Sequence, residues 1–538
     1  MNSYLRIFLL QILLFSCFGH IFAQETYFVR FRDKGHSPYS LERPQEYLSE
    51  RALERRLRQQ IDIDSTDLPV TPAYVEQLAD AGAQVLYPLR WLNGAVVRAD
   101  GAVASAIAAL PHVVGIELVR KNAGAKSKKS TQDIAVNDSY SYGYAQKQIE
   151  QLGGHRLHQQ GFTGEGYVIA VLDAGFLHVD VHPVFDGMRL AGRLLGTRDF
   201  VNPQSNIYEE NSHGAQVLST MVGLIPGQMI GTAPQAQYWL IRTEDDATEQ
   251  PIEEYNWIAG AELADSVGAD VVNTSLGYNT FDDDSHNHTY ADLDGQTTPI
   301  TIGANMAASK GMLMVVSAGN EGSNDWHYIA APADSPDVLT VGAVDEQGRV
   351  SYFSSRGPSA DGRIKPDVCA MGVNATVMAR ATTGLSQNSG TSFSGPIVAG
   401  LMACLWQAYP NLRPAELIEM VRSSASHYSN PNNDIGYGIP NFARAIGLSV
   451  PTNSINTEAL TIFPNPAHNM VTARLPFAYT ASVQVAIASV MGHCVQSQKV
   501  VANQGLLQIE LPSHMAQGVY MLSVKVDGVT YVAKFIKI

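Results

Sequence analysis

Cysteine is scarce, with four in 538 residues, and so few thiols exclude a disulfide scaffold. Cys17 falls in the N-terminal leader, which leaves Cys369, Cys404 and Cys494. A Cys369–Cys404 bridge cannot be deduced from sequence, and buried free thiols are the expectation. Positive charge is also short. Lys and Arg number 36 against 51 Asp and Glu, for a net −15, which argues against nucleic acid as a partner. Long apolar runs are missing after the first twenty-odd residues, so no transmembrane anchor is expected. Residues 1–23 carry Arg6, an apolar run over 7–18 and Ala23 before a cut. The run is short and holds Gln11 nearby, so it reads as a removable signal peptide.

What is present is a globular balance, 45% apolar and 16% charged, in a chain too long for one core. Residues 24–120 read as a small α+β unit. Strand patterns lie at 26–31, 84–87, 94–98 and 113–119, and helical ones at 74–81 and 102–110. That β-α-β-β-α-β order predicts a ferredoxin-like sandwich. Residues 121–139 begin KNAGAKSKKSTQD, a polar, basic, protease-accessible linker. Residues 140–449 alternate apolar runs (167–172, 271–273, 312–316) with helical patterns (252–266, 301–310), which predicts an α/β domain with a doubly wound parallel sheet. Residues 450–458 form a second polar linker. Residues 459–538 hold short strands at sandwich-like spacing and predict a C-terminal β-sandwich.

Four places carry chemistry. An apolar strand runs into Asp173, and ligands of open α/β sheets bind beyond the carboxyl ends of strands. His213 opens a helical stretch over 215–222 that Ser212 is expected to cap, and an imidazole there suits a general base oriented by a carboxylate. Ser392 begins a buried helix, whose N-terminus offers free N–H groups to a developing oxyanion. Pro396 is expected in that helix's first turn, where proline is tolerated. Asn320 ends another apolar strand, and its amide can donate to the same oxyanion.

The order Asp…His…Ser with an Asn between the last two resembles the subtilase family. Gly390-Thr391-Ser392-Phe393-Ser394-Gly395-Pro396 fits its serine box, and Ser212-His213-Gly214 its histidine box with Ala215 where Thr is usual. Asp173-Ala174-Gly175 fits the aspartate box, with Ala174 where Ser or Thr is usual, a change that removes a hydroxyl from beside the acid. Ser275-Leu276-Gly277 matches the substrate-binding strand and Ala318-Gly319-Asn320 the oxyanion strand. Phe353 to Pro358 and Lys365-Pro366-Asp367 match further family stretches. The resemblance implies a serine endopeptidase acting on protein or peptide substrates through an acyl-enzyme. Asp173, His213, Ser392 and Asn320 would be catalytic, and Ser275, Leu276, Gly277, Ala318 and Gly319 substrate-binding. The first specificity pocket would lie near Leu276, Ala318 and Ala330.

By position and strand order, residues 24–120 resemble the family's inhibitory prodomain, which implies a cut between 121 and 140. Phe463-Pro464-Asn465-Pro466-Ala467, Gly518-Val519-Tyr520 and residues 534–538 resemble the C-terminal sorting domain of type IX secretion cargo. That implies a secretion machinery as partner and a destination outside the cell or on its surface. No cofactor or metal is required for the reaction. Many subtilases bind a structural calcium, but the acidic insert 281–294 matches no calcium loop, and a solvated loop is expected there. The rival reading is a catalytically silent subtilase-fold surface binding protein. An α/β-hydrolase is disfavoured, since Ser394 stands where G-x-S-x-G needs glycine.

Overall fold

Phe28 and Val29 are consecutive in a strand, so their side chains point to opposite faces, yet both are buried. The first sheet must therefore be covered on both sides. In the computed structural model, which describes residues 24–121, 142–447, 454–456, 460–475, 479–489, 494–513, 515–526 and 529–538, it is. The leader 1–23, nearly all of the 121–139 linker and most of 450–458 lie outside the described residues. The chain divides into two compact units, 1–445 and 446–538.

The first unit begins β1 (Glu25–Phe31), α1 (Glu50–Gln59), α2 (Pro72–Asp80), β2 (Gln84–Leu89), β3 (Gly94–Ala99), α3 (Gly101–Ala108) and β4 (Val113–Arg120). The sheet order β2-β3-β1-β4 is antiparallel throughout and is the predicted ferredoxin-like arrangement. Asp100 caps α3 by accepting the N–H groups of Ala102 and Val103, both at 2.9 Å. Val29, Leu78, Val97 and Ile107 fill the core between the sheet and its own helices. Phe28, Tyr87, Leu89, Trp91, Val96 and Val119, on the other face, join the core of the large domain.

That large domain contains β5 (Val168–Asp173), β6 (Leu194–Asp199), α4 (His213–Val222), β7 (Gln237–Arg242), α5 (Ile252–Ser266), β8 (Val271–Thr274), α6 (Pro299–Ser309), β9 (Leu313–Ser317), β10 (Leu339–Val344), β11 (Val368–Met371) and α7 (Thr391–Ala408). Seven parallel strands run in the order β11-β10-β9-β8-β5-β7-β6. β6 and β7 lie on one side of β5 and β8 to β11 on the other, which puts the topological switch at β5. Residues of β5, β8 to β11 are buried throughout because helices cover both faces.

Helix α1 was not legible as a helix of the core, because what it buries is charge. Arg55 and Arg56 are 1% exposed. Arg55 pairs with Asp265, Arg56 bonds both Asp265 (2.8 Å) and Asp67 (2.6 Å), and Arg90 reaches Asp265 at 2.5 Å. Arg55 also donates to the carbonyls of Ala269 and Lys310, beyond the ends of α5 and α6. Helix C-termini leave carbonyls unpaired and carry negative dipole ends, so guanidinium groups are matched to them. The small domain is thus fastened to the large one by an apolar sheet face and a buried ionic cluster.

The second unit has β12 (Ser454–Asn456), β13 (Thr461–Phe463), β14 (Met470–Arg474), β15 (Ser482–Ser489), β16 (Cys494–Val501), β17 (Leu506–Glu510), β18 (Gly518–Val526) and β19 (Val529–Lys537). Its sheets run β12-β19-β18-β15-β16 and β13-β14-β17 around a core of Val485, Ile487, Leu507, Ile509, Leu522 and Phe535. Two details differ from expectation. The linker 450–458 contributes β12, which pairs in parallel with β19. β16 was missed because it is a polar edge strand with no apolar alternation to read.

Candidate active site

Asp173 is the last residue of β5 and is fully buried. Its Oδ1 accepts the Ala174 N–H at 2.8 Å and meets Nδ1 of His213 at 2.7 Å. His213 is the first residue of α4. The approach is possible because residue 214 is glycine: a Cβ there would lie 2.4 Å from the Gly175 carbonyl oxygen and 2.8 Å from Cβ of Asp173. The helix start differs from the expected cap. Ser212 makes no side-chain cap, and Oδ1 of Asn211 takes the His213 N–H at 2.7 Å. Among the described residues, Asp173 Oδ2 is buried with no hydrogen-bond partner.

Burial alone would lower the His213 pKa. The charge and hydrogen bond of Asp173 outweigh it, with Glu244 and Asp246 adding, and the imidazole is raised to about 9. Nδ1 faces the carboxylate, so Nε2 is the nitrogen left for proton transfer.

Ser392 is the second residue of α7 and is 8% exposed. Its hydroxyl donates to the Ser275 carbonyl at 3.4 Å rather than to His213. The neighbouring Phe393 ring lies 6.0 Å from the His213 ring, centroid to centroid. In the first turn of α7 the Ser392 N–H has no intrahelical acceptor. Pro396 is not in the first turn as expected; it is the sixth residue of α7. Lacking an N–H, it frees the carbonyl of Ser392, and the Ser275 hydroxyl donates to that carbonyl at 3.0 Å.

Asn320 follows β9. Its Oδ1 accepts the Thr391 N–H at 2.9 Å and the Thr391 hydroxyl at 3.1 Å. With the oxygen so engaged, the amide nitrogen remains a donor on the exposed side. Ser275, Leu276 and Gly277 line a cavity of about 490 Å³ together with Ala174, Asn211 and His213. Gly277 makes no backbone hydrogen bond with the described residues, so its edge is open to an extended chain. Ala318 and Gly319 differ. Ala318 is buried with its N–H on Val341 O, and Gly319 has its N–H on Thr391 and its carbonyl on Ser355 and Thr391. Their hydrogen-bonding groups are spent inside the protein, and they offer a wall rather than an edge.

The sequence reading passed over a second group. Glu244 and Glu249 also line the cavity, and with Glu253 behind them they bring one carboxylate oxygen each within 4.8 Å of one another. Burial, then Glu249 and Asp173, hold Glu244 up to about 8. The signal was there in residues 244–254, EDDATEQPIEE, an acid-rich stretch directly after an apolar strand. The insert 281–294 spends its carboxylates locally: Asp283 on Ser285 and Lys121, Asp292 on Thr289, Asp294 on Gln296 and Thr297. Cys369 and Cys404 are free, buried thiols, as expected. The side chain of Cys494 lies outside the described residues.

The model of the subtilase family, Peptidase S8, matches residues 164–438, about half of the chain.

This chain belongs to the subtilase family.

Residues 26–142 match the peptidase S8 propeptide domain of Bacteroidota, and residues 461–538 a secretion system C-terminal sorting domain. Among curated relatives, this subtilase is 28% identical to serine protease AprX of Bacillus subtilis over 324 residues, covering 52% of this chain and 65% of that one. It is 26% identical to Bacillopeptidase F of Bacillus subtilis over 458 residues, 78% of this chain but 31% of the other. It is 30% identical to subtilisin of Bacillus pumilus over 283 residues, 52% of this chain and 90% of that protein. The subtilase thus spans less than two thirds of the length of the first two relatives. Among the described residues, no helix is long and apolar enough to cross a membrane.

Proposed function

We propose that this subtilase is the precursor of an exported serine endopeptidase. The observation that carries the reading is the 2.7 Å contact of His213 with buried Asp173, beside a helix that begins at Ser392. Ser392 Oγ leaves the Ser275 carbonyl by rotation about χ1 and gives its proton to Nε2 of His213 as it attacks a peptide carbonyl. Asp173 holds the imidazole in the tautomer that accepts this proton and stabilises the cation that forms. The Ser392 N–H and the Asn320 amide receive the oxyanion. His213 then gives the proton to the leaving amine. Water, deprotonated by the same imidazole, hydrolyses the acyl-enzyme. The substrate backbone adds as a strand along Ser275–Gly277.

Residues 24–120 act as an intramolecular inhibitor, removed by a cut between 121 and 140; the extensive buried contact of that sheet with α5 supports this. Residues 459–538 address the protein to a type IX secretion machinery, which delivers it outside the cell or to its surface. The domain limits are those stated at the outset: a signal peptide over 1–23, linkers over 121–139 and 450–458, and a catalytic domain over 140–449. No metal takes part in the chemistry.

The test is labelling of the purified chain with a serine-directed fluorophosphonate, alongside hydrolysis of casein. Labelling and hydrolysis that both vanish in Ser392→Ala support the assignment. A chain that neither labels nor cleaves is a binding protein on a subtilase fold.

A further inference from the structure

Four carboxylate residues, Glu210, Glu244, Asp246 and Glu249, line the catalytic cavity together with His213 and Arg380. Glu210 is answered by Arg242 at 3.4 Å. Among the described residues, Glu244 and Asp246 have no Lys or Arg within ion-pair distance. Behind them Glu253 is fully buried with Oε2 unpartnered, and Tyr278, 1% exposed and lining the same cavity, has an unpartnered Oη. Burying unpaired carboxyl and phenol groups is costly, and a cation bonded to them removes that cost.

The neighbouring acids show what kind of cation this surface takes. Where β4 ends, Arg120 pairs with Asp245 at 3.0 Å and Lys121 with Asp283 at 2.7 Å, while the Lys121 N–H bonds Gln250 Oε1 at 3.1 Å. The loop carrying Glu244 and Glu249 is therefore already held to the N-terminal domain by the Arg120 guanidinium and the Lys121 backbone N–H, while the Lys121 ammonium pairs with the neighbouring insert. The sequence that continues from Lys121 is K-N-A-G-A-K-S-K-K-S, with Lys126, Lys128 and Lys129.

Resting on the proposed peptidase activity, we infer that Glu244, Asp246 and Glu249, backed by Glu253 and Tyr278, form a subsite for a Lys or Arg side chain of the substrate. A side chain from a peptide paired along Ser275–Gly277 enters between the loop and His213, and its cationic head meets the carboxylates. Burial, then the charges of Glu249 and Asp173, lifts the Glu244 pKa, and a cation beside it would lower it again.

The experiment uses the purified full chain after incubation at pH 8. Fluorogenic peptides built on Ala-Lys-Ser-Lys-Lys-Ser are compared with versions in which Lys is replaced one at a time by Ala, norleucine or Glu. The expected result is a kcat/KM at least tenfold higher for Lys than for norleucine at one position. That ratio should collapse in Glu244→Gln and in Glu249→Gln, and shrink with added salt. Equal rates for Lys and norleucine overturn the subsite while leaving the peptidase intact. So does a Lys preference that persists unchanged in both Gln variants. A preference that EDTA creates and calcium abolishes also overturns it, since it would mean a metal ion owns the carboxylates. No cleavage of any peptide, together with no fluorophosphonate labelling, overturns the activity itself.

Discussion

The hydroxyl of Ser275 donates to the backbone carbonyl of Ser392 at 3.0 Å, the carbonyl that Pro396 leaves without an intrahelical donor. One bond thus ties the proposed substrate-binding strand to the residue proposed as nucleophile. Ser275→Ala leaves that carbonyl buried and unpaired, at a cost of about 1–3 kcal/mol. The expected outcome is a lower denaturation midpoint. Pro396→Ala in the same background restores an N–H at position 396 and recovers part of the loss. Additive losses in the double variant would show that the bond is not what holds the site.

Asp265 holds Arg55, Arg56 and Arg90 between the two domains, with no exposed surface of its own. Removing one partner of a buried ionic cluster costs about 3–5 kcal/mol. Asp265→Ala, made in a Ser392→Ala background to prevent processing, should lower the melting temperature of the precursor and loosen the N-terminal domain. Hydrogen exchange in α1 should rise first. Burial would raise the Asp265 pKa, but Arg55, Arg90 and Arg56 hold it down to about 2. Its contribution is therefore full above the unfolded value near 3.8 and is lost as the pH falls toward 2.

His213, raised to about 9, is cationic at neutral pH in this state, and a general base must be neutral. The value of kcat/KM should rise with pH from 7 toward 9 and then level. Asp173 is the main source of the rise; Glu244, itself held up to about 8, and Asp246 also face the ring. Asp173→Asn should cut the rate about 10⁴-fold and move the inflection down. The stability that the charged imidazole contributes is complete below 6.5 and lost as the pH rises through about 9, so the most active enzyme is also less stable. A profile that is flat from 6 to 10 contradicts this account.

The proposed mechanism gives Asn320 two jobs, and two variants separate them. Asn320→Ala removes both the acceptor for Thr391 and the oxyanion donor; kcat should fall about 10²–10³-fold with KM little changed. Asn320→Asp keeps an oxygen for the Thr391 N–H and hydroxyl but withdraws the donor. If Asn320→Asp retains full kcat, the residue serves only to position α7.

The local geometry of the proposed site was legible because it is written in short segments. A strand that ends in Asp173, a glycine that lets His213 approach it and a buried helix beginning at Ser392 are each local, and parallel-sheet topology brings strand ends together. Helix α1 was not legible. Its buried face is Arg55 and Arg56, which read as surface until Asp265, some two hundred residues on, is brought against them. β16 escaped for a related reason, as an edge strand has no buried face to impose alternation.

By itself, the sequence determined which backbone turns present an acid, an imidazole and an alcohol, since glycine positions and apolar runs act over a few residues. Tertiary structure alone decided that Glu244, Glu249 and Glu253 converge beside the imidazole, and that Ser275 answers the carbonyl Pro396 leaves free. The acidic stretch is local, but its place beside His213, like the bond from Ser275 to Ser392, joins parts of the chain that are separate in sequence. The energies of these contacts depend on which group arrives opposite which, and only the packed fold sets that.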